Sequence, residues 1–292
     1  MTNLLRGRDA QARENCSRAL EIEPKNADAW VRCGFADESQ GIPDKALEEY
    51  HKAAELDPQY FRPYQFIGGF YNYRGQYAEA EPYYRKEVEY AVNDMDGYSD
   101  LGGSLTEQAK FTEAEKAYNH ALRIKRTPSN LNNLGSTFAY EKRDADALPL
   151  YQEAVKLEPA NFRYWMNIGD SERRLGHPQA ATAAYQKLVD LTQAQLQADS
   201  ASASARSFLA YGLARLGNKA QAEQEAGQVQ SSSDNQLLRN VLFTYEALGE
   251  RDRALDIAAR LTPATRKILQ HHPDLADFCR DSRFKQLLAN SQ

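Results

Sequence analysis

The chain has 292 residues with 36 Lys and Arg against 41 Asp and Glu, a formal net charge of −5, and no basic run, which excludes nucleic acid as a partner because phosphate binding needs a positive stripe. Its 42% hydrophobic residues suffice for folding but are too interrupted for a membrane span, and the first fifteen residues lack the apolar segment of a secretory signal. With three cysteines only, Cys16, Cys33 and Cys279, no disulfide framework is expected, and a reducing, cytoplasmic setting follows.

In chain order the first element is residues 1–26, where Gly7, Ala12, Cys16, Ala19 and Pro24 follow a spacing that recurs downstream. They read as the loop and second helix of a truncated repeat, which implies a longer parent protein because a hairpin needs both helices. Five regular units come next, 27–60, 61–94, 95–127, 128–161 and 162–195. Gly34, Gly68, Gly102, Gly135 and Gly169 recur at steps of 34, 34, 33 and 34 residues, and Tyr50, Tyr84, Tyr118, Tyr151 and Tyr185 keep the same steps sixteen residues behind them. A large residue (Trp30, Tyr64, Tyr98, Leu131, Trp165) stands four before each glycine, and Ala46, Ala80, Ala114, Ala147 and Ala181 stand four before each tyrosine. Gly41, Gly75 and Gly176 mark the ends of first helices, and Pro58 and Pro159 stop second ones. A period of this length signals stacked helical hairpins, with small residues setting the helix separation and aromatics filling the space between hairpins.

Residues 196–202, overlapping the small-residue run Ala198–Ala205, read as an insertion. Two degenerate units follow over 203–268, with loop glycines Gly217 and Gly249 followed by Ala222 and Ala254, and with Ala226 and Ala258 in place of the tyrosine. Residues 269–292 form a capping segment whose last helix is placed at Ser282–Ala289.

The spacing W-x2-L-G-x2-Y, then alanine, tyrosine, alanine and proline, resembles the tetratricopeptide repeat (TPR) family. That resemblance implies an all-α, right-handed α-solenoid that binds a peptide or partner domain on the face lined by the first helices of its hairpins. The face positions it implies are Phe35 in the first full unit; Gln65, Phe66, Gly69, Asn72 and Tyr73 in the second; Ser99 and Gly103 in the third; Asn132, Asn133, Ser136 and Tyr140 in the fourth; and Arg163, Asn167, Arg173 and Arg174 in the fifth. Asparagine and glutamine amides bond both the donor and the acceptor side of an extended backbone. Asp96, Asp100 and Glu107 make the middle of the groove negative, and the three arginines make one end positive and suited to an acidic ligand end. Chaperone-binding members carry a two-carboxylate clamp; the corresponding residues here are Val31 and Phe35, Phe66, then Asp96 and Asp100, so the clamp is missing. The run HPDLADFCRDSRFKQLL, residues 272–288, resembles the ends of TPR arrays attached to bacterial signalling proteins such as eukaryotic-type Ser/Thr kinases, cyclases and winged-helix regulators.

No phosphate loop, zinc pattern or nucleophile motif stands in the chain, so neither catalysis nor a cofactor is expected. His271, His272 and Cys279 have no metal-ligand spacing, and the carboxylate pairs Glu48/Glu49 and Asp144/Asp146 read as solvated surface. The leading function is a protein-interaction module, a scaffold or regulatory segment of a larger protein. Two alternatives stand beside it: homo-oligomerisation through the stripe Phe66, Phe70 and Tyr73, or an accessory role to a catalytic part upstream of Met1.

Overall fold

The computed structural model describes residues 3–290, with side chains from residue 11 onward. All regular structure among these residues is helical. After α1 (Asn3–Ile22), antiparallel pairs follow: α2 (Ala27–Ser39) with α3 (Pro43–Leu56), and α4 (Phe61–Tyr73) with α5 (Tyr77–Tyr90). Next in order are α6 (Met95–Glu107), α7 (Phe111–Ile124), and the pairs α8 (Pro128–Tyr140) with α9 (Asp144–Leu157) and α10 (Phe162–Arg174) with α11 (Pro178–Ala198). The array continues through α12 (Ala203–Arg215) with α13 (Lys219–Val229) and α14 (Asn235–Ala247) with α15 (Arg251–Arg260), and ends in α16 (Pro263–Leu269) and α17 (Ser282–Ala289). Two compact units divide the chain, Met1–Gln108 and Ala109–Gln292, and the border falls inside the third predicted repeat, between α6 and α7.

Local chemistry sets the helix ends. Every first helix of a pair except α4, which follows Tyr60, starts on a polar cap: Asn26 Oδ1 accepts from the Ala29 amide at 2.9 Å, and Asp94, Thr127, Asn161, Ser202 and Asp234 act likewise on α6, α8, α10, α12 and α14. These helices are followed by a residue with positive φ, glycine at 41, 75, 176, 217 and 249, but Ala109 (φ 59°) after α6 and Lys142 (φ 62°) after α8.

The shared period of glycine and tyrosine is one steric fit. A Cβ on Gly169 would lie 2.5 Å from the Tyr185 ring, and one on Gly34 equally close to Tyr50, so the glycine supplies the space that the tyrosine of the same hairpin fills. Tyr50, Ala46, Ala53 and Ile67 then form one buried cluster joining successive hairpins. In Ala109–Gln292 the core runs from Tyr185 and Leu188 through Phe208, Tyr211, Val241 and Tyr245 to Phe278 and Phe284.

Three expectations are corrected. Cys16 and Cys33, read as separate packing residues in a reducing setting, form a disulfide. The repeat register explains it: Tyr50 and Ile67, Tyr84 and Leu101, and Tyr151 and Ile168 are each seventeen residues apart, as are the two cysteines. The bond therefore stands where other hairpins set a tyrosine against an aliphatic residue, and both cysteines are buried. Secondly, α1 is one continuous helix through Gly7, which is no loop glycine. Thirdly, 196–202 is only partly an insertion between helices, because residues 196–198 extend α11 to 21 residues.

Candidate functional site

In Met1–Gln108 the predicted face residues sit on α2, α4 and α6. Phe35 is 54% exposed and Tyr73 91% exposed, whereas Phe66 is half-buried, stacked on Tyr50 at 4.9 Å and tilted against Phe35 at 5.9 Å. Gln65, Asn72, Ser99 and Gly103 are half-buried, and Gly69 faces open space. The aromatic stripe is not a continuous apolar face, since Phe70 turns inward at 7% exposure beneath the Arg74 guanidinium, 3.5 Å from its ring.

An acid lies under this face. Glu87 occupies the position that holds alanine at 53, 121 and 154, three residues after the repeat tyrosine. It is fully buried against Gly97 with the Gln65 amide as its side-chain hydrogen-bonding neighbour, and burial, with Asp100, Asp94 and Asp96 adding to it, raises its pKa to about 8.

In Ala109–Gln292 the corresponding helices are α8, α10, α12 and α14, and the chain itself covers part of their face. After α16 the segment 270–276 turns back. His271 meets the edge of Phe111 at 5.3 Å, while His272 stacks on Phe243 at 4.4 Å and meets Tyr140 at 6.0 Å. Burial drives the His272 pKa down to about 3, with Arg174, Arg239 and Arg215 adding to the effect, so the ring is neutral. Asp274 then enters a guanidinium cluster: Arg173 at 2.5 Å, Arg174 at 3.2 Å and Arg215 at 3.5 Å. These cations outweigh burial and hold Asp274 below the usual carboxylate range.

Arg174 also grips Asp144 through Nε and Nη2, the latter at 2.7 Å, and Ser171 donates to the same carboxylate at 2.9 Å. Beside them Asp170 accepts from the Tyr185 and Tyr211 hydroxyls, both at 2.6 Å. The positive end predicted at Arg173 and Arg174 is thus taken by acids of the chain itself. Asp144, read as solvated, is 7% exposed because it starts α9 directly beneath Arg174. Glu49, read the same way, is 5% exposed because it faces back onto α1, where Arg13 donates to it at 2.8 Å.

The segment covers the later turns of these helices and leaves the earlier ones. There Asn167 Nδ2 donates to Asn132 Oδ1 at 2.7 Å, and Asn132 Nδ2 donates to Asn133 Oδ1 at 3.4 Å. Asn132 is buried; Asn133 and Asn167 are half-buried. The amide chain ends in the Asn133 Nδ2 donor at one side and the Asn167 Oδ1 acceptor at the other, neither engaged by a described residue. One turn from Asn167, Arg163 is exposed, with its guanidinium 5.5 Å from the Phe208 ring. Ser136 Oγ donates to the Asn132 carbonyl at 3.0 Å and so turns back onto its own helix. Tyr140 accepts from Arg239 at 2.6 Å.

Sequence reasoning overlooked Arg215, Arg239 and Asp274. The first two occupy α12 and α14 at register positions matching Arg174 and Met166 of α10, so extending the register into the degenerate repeats would have found them. Asp274 lies outside the period and carries no such signal. Among the described residues no group of three or more His, Cys, Asp or Glu is placed to hold a metal ion, and no helix is long and apolar enough to cross a membrane.

The family model of the tetratricopeptide repeat matches residues 133–195, which include Asn133 and Asn167. The fold is a TPR α-solenoid. Relatives of the TPR array include the type IV pilus assembly protein PilF of Pseudomonas aeruginosa, 36% identical over 77 residues that make up 26% of this chain. Tetratricopeptide repeat protein 37 of Xenopus laevis is 34% identical over 58 residues, 20% of this chain. The chain spans 31% of the length of the first and 4% of the second. Among solved structures, YrrB, described as a TPR protein with an unusual peptide-binding site, superposes with a TM-score of 0.55 at 20% identity, covering 60% of this chain and 91% of YrrB. P. aeruginosa PilF superposes with a TM-score of 0.54 at 18% identity, covering 70% and 90% of the two chains.

Proposed function

We propose that this TPR array is a scaffold that holds an extended segment of a partner protein against α8 and α10. The observation that carries the reading is the amide chain Asn133–Asn132–Asn167, which ends in an open donor and an open acceptor. An extended chain offers carbonyls and N–H groups along its length, so separate peptide groups can meet the two ends without specifying side chains. Panning a random ten-residue peptide display library on the full chain tests this. Binders are expected, and Asn133→Ala should lower their capture about tenfold, the effect of about 1.4 kcal/mol, while leaving the melting temperature in place. Capture and melting temperature falling together would mean that the groove lies elsewhere.

Self-association remains a second reading, favoured by the exposed Phe35 and Tyr73 of Met1–Gln108; a strict monomer by light scattering across concentration would sink it. The parent signalling protein suggested by residues 272–288 is likewise a proposal, tested by the gene sequence upstream of Met1. On compartment, the Cys16–Cys33 bond favours an oxidising one over the cytoplasm. Thiol labelling in intact cells would decide, with a reduced pair pointing back to the cytoplasm.

A further inference from the structure

We propose that the segment held by α8 and α10 is acidic, and that Arg163 receives a carboxylate from its side chains. The inference rests on the peptide-holding reading above and adds the chemical class of the ligand.

The arginines on this face differ in one respect. Arg173, Arg174 and Arg215 each lie within ion-pair distance of Asp274, and Arg174 also binds Asp144. Arg163 has no carboxylate within that distance among the described residues. Its guanidinium rests over Phe208 and feels the positive charge of Arg239 on α14, whose Nη2 is fixed on the Tyr140 hydroxyl. An exposed cation beside an aromatic ring and a second cation is stabilised by an arriving anion.

The chain shows on the same face how such a cation is met. Asp274 is offered to Arg173, Arg174 and Arg215 by a short non-repeat segment, one residue after Pro273. Arg163 lies four residues, one helical turn, before Asn167. A peptide whose backbone bonds Asn133 and Asn167 therefore brings an adjacent side chain to Arg163, and Asp or Glu there forms the missing pair. A planar guanidinium and a carboxylate pair through two parallel hydrogen bonds, which a lysine would not reproduce. The protein's net charge of −5 and its lack of a basic stripe favour a carboxylate on a peptide over a polyphosphate backbone.

The test uses the full chain and the same amidated ten-residue display library, panned on the unsubstituted protein, on Arg163→Gln and on Asn133→Ala. The recovered binders should be enriched severalfold in Asp and Glu over the starting library. Arg163→Gln should abolish the enrichment, whereas Asn133→Ala should lower total recovery and keep it. For one synthetic binder, replacing its acidic residue by the amide should weaken Kd about tenfold on the unsubstituted protein and leave it unchanged on Arg163→Gln. Binders without acidic enrichment, or an equal loss on both proteins, overturn the acidic assignment and leave the groove standing. Recovery of no binder overturns the groove and the assignment together. Melting temperatures within about 1 °C of each other certify that the exposed Arg163 is not needed for folding.

Discussion

The two compact units carry the same hairpin repeat but bury opposite chemistry beneath the face lined by first helices. In Met1–Gln108 that chemistry is a buried acid among acids, Glu87, standing in an alanine slot with Asp94, Asp96 and Asp100 nearby. In Ala109–Gln292 it is a set of guanidiniums matched to Asp144, Asp170 and Asp274, one of which arrives from outside the repeats. The contrast shows that the period fixes where a side chain lies and leaves its charge free, so one scaffold buries an acid among acids in one place and paired guanidiniums in another.

The sharpest way to break the comparison is to remove the acid that completes the second unit. Asp274→Ala strips the shared counter-ion from Arg173, Arg174 and Arg215 and should destabilise Ala109–Gln292 by about 3–5 kcal/mol, the usual effect of breaking a buried pair from one side. Denaturant unfolding of the two proteins measures it. Next is the staple of the first unit. A disulfide closing a loop of seventeen residues contributes about 3 kcal/mol by constraining the unfolded chain. The double replacement Cys16→Ala and Cys33→Ala should remove most of it, and adding reductant should lower the melting transition of the unsubstituted protein alone.

Acid separates the units by sign. The Glu87 pKa is raised in the folded state, so its contribution to stability is present below the unfolded value of about 4.3 and is lost as pH rises toward about 8. The Asp274 pKa is lowered, so its contribution is present above the unfolded value of about 3.9 and is lost as pH falls below it. Glu87→Gln should therefore raise stability by about 1–3 kcal/mol at pH 8 and by little at pH 4, as read from urea midpoints at the two pH values. Last and smallest, Lys142 ends α8 at φ 62°, where other pairs use glycine, and Lys142→Gly should stabilise by about 0.5–1 kcal/mol. A loss of stability there would show that the lysine side chain adds more than its backbone strain removes.

The sequence made the repeat legible because Gly34 and Tyr50, Gly68 and Tyr84, Gly135 and Tyr151, and Gly169 and Tyr185 meet directly, and a steric fit repeated in four hairpins leaves a period in the letters. The helix Ser282–Ala289 was legible for a similar reason, with Phe284 as its buried anchor. Charge pairing has no period. Nothing in the spacing of Arg173 and Arg174 tells that Asp274, a hundred residues after Arg174, will neutralise them, or that Glu49 turns toward Arg13 instead of water. The disulfide was hidden for a related reason: cysteine passes as a small core residue, and only superposing the register of α1 on that of α3 shows the two thiols facing each other. Of the groove, Asn132, Asn133, Asn167 and Arg163 were placed by register, while the segment covering its other half lay outside every repeat.

The central claim is that a partner segment lies on α8 and α10 between Asn133 and Asn167. Side-chain amide resonances of the 15N-labelled protein, followed while a binder from the peptide library is titrated in, report on it directly. The account predicts that the Asn133 and Asn167 amides shift with saturation and that Gln65 stays in place. Shifts confined to Gln65 and its neighbours, with Asn133 and Asn167 unmoved, would contradict it.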